Sequence, residues 1–244
     1  MNKEKYIYLS ASPLLLESCS LREHSNTSIV VIDILRATTT ICTAFKYGVK
    51  ALIPVGAIEK AKALKEQGFM VAGERLEGSL PFADMGNSAF EFMNPKIKGQ
   101  VIAHTTTNGT QAIEQAKGLN GKEILIGSFL NLSALALYLQ EQNTDVLLLC
   151  SGWKGSACIE DTAMAGALIE KLHTSIARVD DASSMALTLW QTYKKDLLSY
   201  MDSCAHIHRL RNKGLGDVFE YSFTPDTAPV VPKLLDGRLI NILN

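Results

Sequence analysis

Charged side chains occur in this sequence where a β-branched run gives way to small polar residues. Asp33 lies near the end of the run Ser28–Ile34, and Arg36 follows three residues later. A charge in such a place is costly unless it has a partner, so one interpretation is a salt bridge at a strand end without a catalytic role. The other is a metal-binding or nucleophilic carboxylate beside an anion-binding guanidinium, because arginine binds phosphate through paired hydrogen bonds.

Two threonine-rich loops could bind an anion as well. Thr38–Thr40 begin two residues after Arg36, and a second loop covers Thr105–Thr110. Threonines are unfavourable inside a helix, but at a helix start their hydroxyls and the free backbone N–H groups can surround an oxyanion. Ordinary N-capping is the structural alternative. The residues expected to bind the anion are Thr38, Thr39, Thr106, Thr107, Asn108, Gly109 and Thr110.

Two acidic positions offer further oxygen ligands. Glu74 and Arg75 precede the irregular segment Leu76–Lys98, and the pair Glu160 and Asp161 opens a predicted helix. Acidic residues in a first helical turn also complement the helix dipole, which is the structural alternative for that pair. With Asp33, these carboxylates would suit Mg²⁺, which takes a few carboxylates and keeps water or substrate oxygens.

The histidines and the absence of several known motifs restrict the types of phosphate site that the chain could form. His104 lies beside the second threonine loop, either supporting the site or buried in the core, whereas His206 and His208 fall in a basic stretch and are expected to be solvated or to cap a helix. The sequence contains no G-x-x-x-x-G-K-[ST] loop, no D-x-D after the first strand and no Arg-His-Gly triplet. Several common phosphate-handling sites are therefore excluded.

The elements that must position these residues alternate between strand and helix patterns. This alternation predicts an α/β fold with a mainly parallel or mixed sheet covered by helices on both faces. The predicted strands are Ser28–Ile34, Lys50–Val55, Phe69–Gly73, Gln100–Thr105, Glu123–Gly127 and Asp145–Cys150. The predicted helices are Thr39–Tyr47, Ala57–Gln67, Gly109–Lys117, Asn131–Gln140 and Glu160–Leu172. Because loops leaving parallel strands share one edge of the sheet, the candidate residues should meet there.

Beyond Leu172 the pattern changes. A long helix is predicted over Asp181–Cys204, followed by the basic stretch His206–Lys213 and a proline-containing tail. We expect this part to form a helical appendage or smaller lobe, with a lobe boundary near 173–180 and the site between the two lobes.

Length and composition set the outer limits. The chain has 244 residues, a hydrophobic fraction of 47% and a formal net charge of −1, which argues against disorder and against a general nucleic-acid binder. No apolar run approaches the length of a spanning helix. The cysteines are scattered and odd in number, so a reduced, cytoplasmic setting is expected, with a homodimer as the default assembly. They are Cys19, Cys42, Cys150, Cys158 and Cys204.

Taken together in their order and spacing, the motifs resemble the 2-phosphosulfolactate phosphatase family. The resemblance runs from about residue 28 to 220 and is weakest over Ser79–Asp84 and Cys204–Arg211. The matching segments are Val31–Thr40, Gly73–Arg75, Gly86–Ser88, Thr105–Thr110, and Glu160–Asp161 followed by Ala165–Gly166, with Gly214, Gly216, Asp217, Val231 and Pro232 later in the chain.

The resemblance implies an α/β phosphoric monoester hydrolase that uses Mg²⁺. It would convert 2-phosphosulfolactate to 3-sulfolactate and phosphate, as in coenzyme M biosynthesis. Asp33, Glu74, Glu160 and Asp161 would hold the metal, with Asp33, Arg36 and Glu74 catalytic and Arg75 binding substrate anions. Whether water or Asp33 attacks stays open. Two alternatives remain: a phosphatase for another small phosphorylated hydroxy acid, or a non-catalytic anion-binding protein.

Overall fold

A computed structural model describes residues 5–75, 78–173 and 177–243, and the side chains at 75, 78, 79, 173 and 177 lie outside that description. The strands are β1 Lys5–Ser10, β2 Thr27–Ile32, β3 Ala51–Pro54, β4 Met70–Arg75, β5 Gly78–Ser79, β6 Val101–Thr105, β7 Glu123–Gly127, β8 Asp145–Cys150, β9 Ala177–Val179, β10 Pro232–Leu235 and β11 Arg238–Asn241. The helices are α1 Ala37–Lys46, α2 Ile58–Glu66, α3 Gly109–Gly118, α4 Leu132–Glu141, α5 Ile159–His173, α6 Asp181–Tyr193, α7 Leu197–Asp202, α8 Ala205–Asn212 and α9 Phe219–Ser222.

The strands form one mixed sheet in the order β5-β4-β6-β3-β11-β10-β7-β2-β8-β1-β9. Strands β7, β2, β8, β1 and β9 run parallel to one another, and so do β3, β6 and β4. Between these two groups lies the antiparallel hairpin β10–β11, which pairs with β7 on one side and with β3 on the other. The hairpin therefore joins two parallel half-sheets.

Both faces of the sheet are covered, as the continuous apolar strands require. Along β2, Val30 and Ile32 pack into one core, while Ile29 and Val31 pack into the other. The first core includes residues of α4 to α8, and the second includes residues of α1 and α3. The predicted fold class is thus confirmed.

Helices α5 and α6 approach each other unusually closely. A Cβ at Gly166 would lie 2.1 Å from the carbonyl oxygen of Ala186, so only glycine allows this separation without a shift. Because α5 begins with Glu160 and Asp161, the tight contact with α6 helps to fix where these acidic residues lie.

Every strand and helix predicted up to Leu172 is confirmed, with ends shifted by a few residues. The helix predicted over Asp181–Cys204 is wrong in its length, because Asp196 leaves helical geometry (φ −137°, ψ 41°) and separates α6 from α7. The short strands β1, β9, β10 and β11 were not predicted. Strands on both sides of 173–180 share the sheet, and the division into two lobes stays a prediction.

Within the described residues, no helix is both long enough and apolar enough to cross a membrane. None of the five cysteines forms a disulfide; four are buried and Cys19 is half-buried.

Candidate active site

The end of β4 and the loops that leave β2, β6 and β8 meet at one cleft. Asp33, Arg36, Glu74 and Asn108 all line it, although they come from distant parts of the sequence. The convergence expected from parallel strands is therefore confirmed. Among the described residues, those that line the cleft are Asp33, Leu35, Arg36, Glu74, Asn87, Thr106, Thr107, Asn108, Trp153, Arg209, Leu210, Lys213 and Leu215.

Asp33 is buried in the loop between β2 and α1. Its Oδ1 accepts a hydrogen bond from the Ala37 N–H at 3.4 Å, and a Cβ on Gly109 would lie 2.9 Å from its Oδ2. Burial raises the pKa of Asp33 to about 6, and the nearby Glu160 adds to the rise. A carboxyl group with a pKa near neutrality can hold or release a proton at working pH, which is a property common at functional sites.

Glu160 and Asp161 are buried in the first turn of α5 and do not line the cleft. Asp161 accepts hydrogen bonds from the Ile34 N–H at 2.9 Å and from the Gly152 N–H at 3.1 Å, which ties the loops after β2 and β8 together. Burial raises the pKa of Asp161 well above its ordinary value, and Glu160 and Asp33 raise it further. Glu160 Oε2 is buried without a hydrogen-bond partner among the described residues.

On the opposite wall, Arg36 pairs with Glu74. Glu74 also accepts a hydrogen bond from the Asn87 side-chain amide at 3.4 Å, and Asn87 in turn accepts one from His104 Nε2 at 2.9 Å. His104 is buried and bonds to Asn87, which lines the cleft, so it lies in the core and also supports the site. Burial lowers the pKa of Arg36, and the Arg36 Nε has no hydrogen-bond partner among the described residues.

Some residues of the two threonine loops line the cleft, and others hold the backbone around it. Thr106, Thr107 and Asn108 line the cleft, whereas Thr38 and Thr39 are buried and bond to backbone carbonyls at its base. Thr106 and Thr110 exchange backbone-to-hydroxyl hydrogen bonds at 2.8 and 3.1 Å, which fixes the loop before α3. Arg75 ends β4, and its side chain lies outside the described part of the structure.

Sequence reasoning missed helix α8. The interpretation of His206 as solvated or capping is wrong, because it is buried and pairs with Glu160, whereas His208 is exposed as expected. Arg209 and Lys213 of the same region line the cleft. The signal was present, since positions 206, 209, 210 and 213 recur at helical spacing and so share one face.

The predicted metal ligands are only partly gathered. The described residues include one trio of ligand-type atoms that all lie within 4.8 Å of one another, and it consists of Cys158, Glu160 and His206. Glu74, in contrast, is held by Arg36 on the other wall. Asp33 lies near the buried Glu160, while Arg36, Arg209 and Lys213 are cationic residues that line the cleft.

Comparison with known proteins agrees with this geometry. The chain is 36% identical over 221 residues to a probable 2-phosphosulfolactate phosphatase of Caldanaerobacter subterraneus, covering 88% of this chain and 91% of the relative. It is 37% identical over 211 residues to a protein of the same name in Thermotoga maritima, covering 86% and 90%. A third such protein, from Clostridium acetobutylicum, is 32% identical over 234 residues, covering 93% and 98%.

The sequence profile of a protein family described as 2-phosphosulpholactate phosphatase matches residues 15–237. The match spans most of the chain, including every strand from β2 to β10 and every residue of the cleft. The chain therefore belongs to the 2-phosphosulfolactate phosphatase family, which consists of phosphoric monoester hydrolases.

Proposed function

We propose that this chain hydrolyses 2-phosphosulfolactate to 3-sulfolactate and phosphate with the help of Mg²⁺. One observation supports the reaction most strongly. Asp33, with a pKa raised to about 6, lines a cleft that is also lined by the cationic residues Arg36, Arg209 and Lys213. A substrate with phosphate, carboxylate and sulfonate groups needs several cations around it and an acid–base or nucleophilic group beside the phosphate.

The buried acidic residues fit a hard divalent cation. Asp33 and Asp161 both have raised pKa values because burial and neighbouring carboxylates disfavour their charge, and Glu160 has an unpartnered buried oxygen. Carboxylate oxygens are the ligands that Mg²⁺ takes, and it commonly needs only one or two from the protein. Asp33 with Glu160 or Asp161, directly or through water, would hold it. Glu74 could join them only by leaving Arg36.

When bound, Mg²⁺ would neutralise charge on the phosphoryl oxygens. The side chains of the cleft then have distinct tasks. Arg36 donates to the phosphoryl oxygens, and Glu74 and Asn87 hold its guanidinium in place. Thr106, Thr107 and Asn108 offer hydroxyl, amide and backbone donors at the start of α3, where the helix dipole also favours an anion.

The test is phosphate release from 2-phosphosulfolactate, measured with Mg²⁺ and with a chelator. We expect turnover with Mg²⁺, its loss with chelator, and its loss in Asp33→Asn. Asp202→Asn is the matched control, because Asp202 is exposed and pairs with Arg211 away from the cleft. Mg²⁺ should also raise the melting temperature of the parent protein and not that of Asp33→Asn, since only a ligand that binds the folded state stabilises it.

Two other results would redirect the assignment. Faster turnover of 2-phospholactate than of 2-phosphosulfolactate would indicate another phosphorylated hydroxy acid as the substrate. Binding of these esters without phosphate release under either condition would support the anion-binding alternative. The coenzyme M route, the cytoplasmic location, the homodimer and the absence of nucleic-acid binding stay predictions.

A further inference from the structure

We propose that Arg209 of helix α8 binds the second anionic group of the substrate, its carboxylate or sulfonate, and that Glu160 orients Arg209 through His206. This inference rests on the proposed function, because it assumes a substrate that carries an anion besides its phosphate. It assigns a specificity role to a helix that the sequence analysis did not predict.

Arg209 is held in place from two sides. Its Nη2 donates to His206 Nε2 at 2.6 Å, and its guanidinium carbon lies 4.8 Å from the centre of the Trp153 ring. Arg209 nevertheless lines the cleft, and its Nε is buried with no hydrogen-bond partner among the described residues. A guanidinium presents five N–H donors in a rigid fork, so one edge can contact His206 while other donors face an anion.

His206 links this guanidinium to the acidic cluster. Arginine has no acceptor, so the short Arg209–His206 contact requires a lone pair on His206 Nε2. The proton of the neutral imidazole then lies on Nδ1, which contacts Glu160 Oε1. This tautomer also argues against a metal in the Cys158–Glu160–His206 trio. A metal at Nδ1 would place the ring proton on Nε2, facing the donors of Arg209.

The electrostatics of the cleft favour an anion between two guanidinium groups. Burial lowers the pKa of both Arg36 and Arg209, and Arg209 itself adds to the effect on Arg36. Each of the two also has a buried Nε without a partner among the described residues. Because Arg36 is already paired with Glu74 beside the acidic side chain of Asp33, we assign the phosphate to Arg36 and the more distant anion to Arg209.

The experiment compares Arg209→Gln with the parent on four phosphate esters. They are 2-phosphosulfolactate, 2-phospholactate without the sulfonate, phosphorylated isethionate without the carboxylate, and propyl phosphate with neither. Arg209→Gln should lower kcat/KM for 2-phosphosulfolactate roughly 10- to 100-fold, the size of one lost charge-assisted hydrogen bond, and leave propyl phosphate unchanged. Comparing 2-phospholactate with phosphorylated isethionate shows which anion Arg209 binds, because only the ester that keeps that anion should lose rate in Arg209→Gln. Equal losses on all four esters, or no loss on any, would overturn the proposal.

Arg211→Gln is the matched control. Arg211 lies on the same helix, is exposed and pairs with Asp202, so the same substitution there should leave all four rates unchanged. A loss like that of Arg209→Gln would show that the helix as a whole, and not its cleft-facing guanidinium, matters.

Two substitutions of His206 test its positioning role. Glutamine places an acceptor near the position of Nε2 and can still hold Arg209, whereas asparagine reaches only toward Glu160. We expect His206→Gln to keep the preference for esters that carry an anion besides the phosphate. His206→Asn should lose this preference, as Arg209→Gln does. His208→Gln is the exposed control on the same helix. If both His206 variants lose rate equally on every ester, including propyl phosphate, His206 has no positioning role.

Calorimetric titration with 3-sulfolactate separates this inference from the proposed function. The compound carries the carboxylate and the sulfonate without a phosphate, so its affinity is independent of turnover. Arg209→Gln should weaken its binding by about tenfold. If the parent releases no phosphate from any ester, the proposed function fails, and the titration still decides the role of Arg209. Unchanged affinity in Arg209→Gln would overturn the inference alone.

Discussion

Buried carboxylates lie at both ends of strands β2, β7 and β8, and their surroundings differ. At the amino end, Glu123 accepts hydrogen bonds from Ser28 and Tyr138, each at 2.7 Å, and pairs with Lys233 at 2.8 Å. At the carboxyl end, the Asp33 side chain accepts one hydrogen bond among the described residues, a long one from the Ala37 N–H. Asp33 also lies close enough to Glu160 for the charge of Glu160 to raise its pKa.

The two ends therefore have carboxyl groups with opposite pKa shifts. Burial alone would raise the pKa of Glu123, but the Lys233, Tyr138 and Ser28 contacts lower it overall. Burial raises the pKa of Asp33 to about 6, and the opposing effects of His206, the Ala37 N–H and Arg36 offset the rise only in part. A buried charge that its own protein satisfies is a structural feature, whereas one that it leaves unsatisfied points to a ligand. Four predictions test this contrast.

The largest effect is expected for Asp33→Asn. Phosphate release should fall about 10³-fold or more, because the side chain keeps its shape but loses its charge and basicity. In chelator at pH 7 the same variant should melt at a higher temperature than the parent, since it removes an uncompensated buried charge. Activity assays and thermal denaturation measure the two effects. A variant that is both fully active and less stable would contradict the assigned contrast.

Gly109→Ala should come next. Its Cβ would lie 2.6 Å from the Ala37 Cβ and 2.9 Å from Asp33 Oδ2, so α1 or the Asp33 side chain must move. A displacement of this kind in the reacting geometry should lower kcat roughly 10- to 100-fold. Gly118→Ala is the control, because nothing lies within 4 Å of a Cβ at the other end of α3. Equal kcat values for the two variants would show that the close approach at Gly109 does not matter.

Glu123→Gln tests the amino end of the strands, where the buried carboxylate has hydrogen bonds and an ion pair. It should lower the free energy of unfolding by about 1–2 kcal/mol, because Lys233 loses its counter-charge and the single amide oxygen can accept from only one of Ser28 and Tyr138. Phosphate release per folded molecule should not change. Chemical denaturation and the same activity assay measure the two quantities. A loss of turnover without a loss of stability would mean that the two ends of the sheet are coupled.

The smallest effect is the pH dependence of stability in chelator. The pKa of Asp33 is higher in the folded state, so folding takes up a proton and stability rises as the pH falls from about 6 toward the ordinary value of about 3.9, by roughly 1 kcal/mol per pH unit. For Glu123 the folded pKa is lowered, so its contribution is present above about 4.3 and is lost as the pH falls below that value. Denaturation series at several pH values should show both dependences in the parent. Asp33→Asn should lose the first and keep the second, and Glu123→Gln should lose the second and keep the first.

Much of this site could be predicted because parallel strands impose its geometry. Asp33, Glu74 and Asn108 each follow a strand whose residue types identified it, and such strands end at the same edge of a sheet. What the polar residues contact was harder to predict. Thr39 and Thr110 have the hydroxyls of an anion site, yet the structure uses them to fix backbone.

The features that could not be predicted depend on packing between parts of the chain that are distant in sequence. The spacing of His206 and Arg209 shows that they share a helix face, but nothing local shows that α8 packs over Glu160 and Trp153. The break at Asp196 contains neither glycine nor proline, so no local signal marks the end of α6. Asp236 and Gly237 form a local signal for the hairpin of β10 and β11 that the sequence analysis did not use. The place of this hairpin in the sheet had no local signal, because its outer partners β7 and β3 are more than a hundred residues away.

The central position of the β10–β11 hairpin has a consequence for biosynthesis. Translation proceeds from the amino end, so β3 and β7 leave the ribosome long before the hairpin that pairs with both. Until it arrives, each has an edge without its native neighbour, and such edges recruit strands from other chains. The interval just before residues 232–241 emerge is therefore when the nascent polypeptide is most vulnerable to self-association, and when a chaperone would be of most use to it.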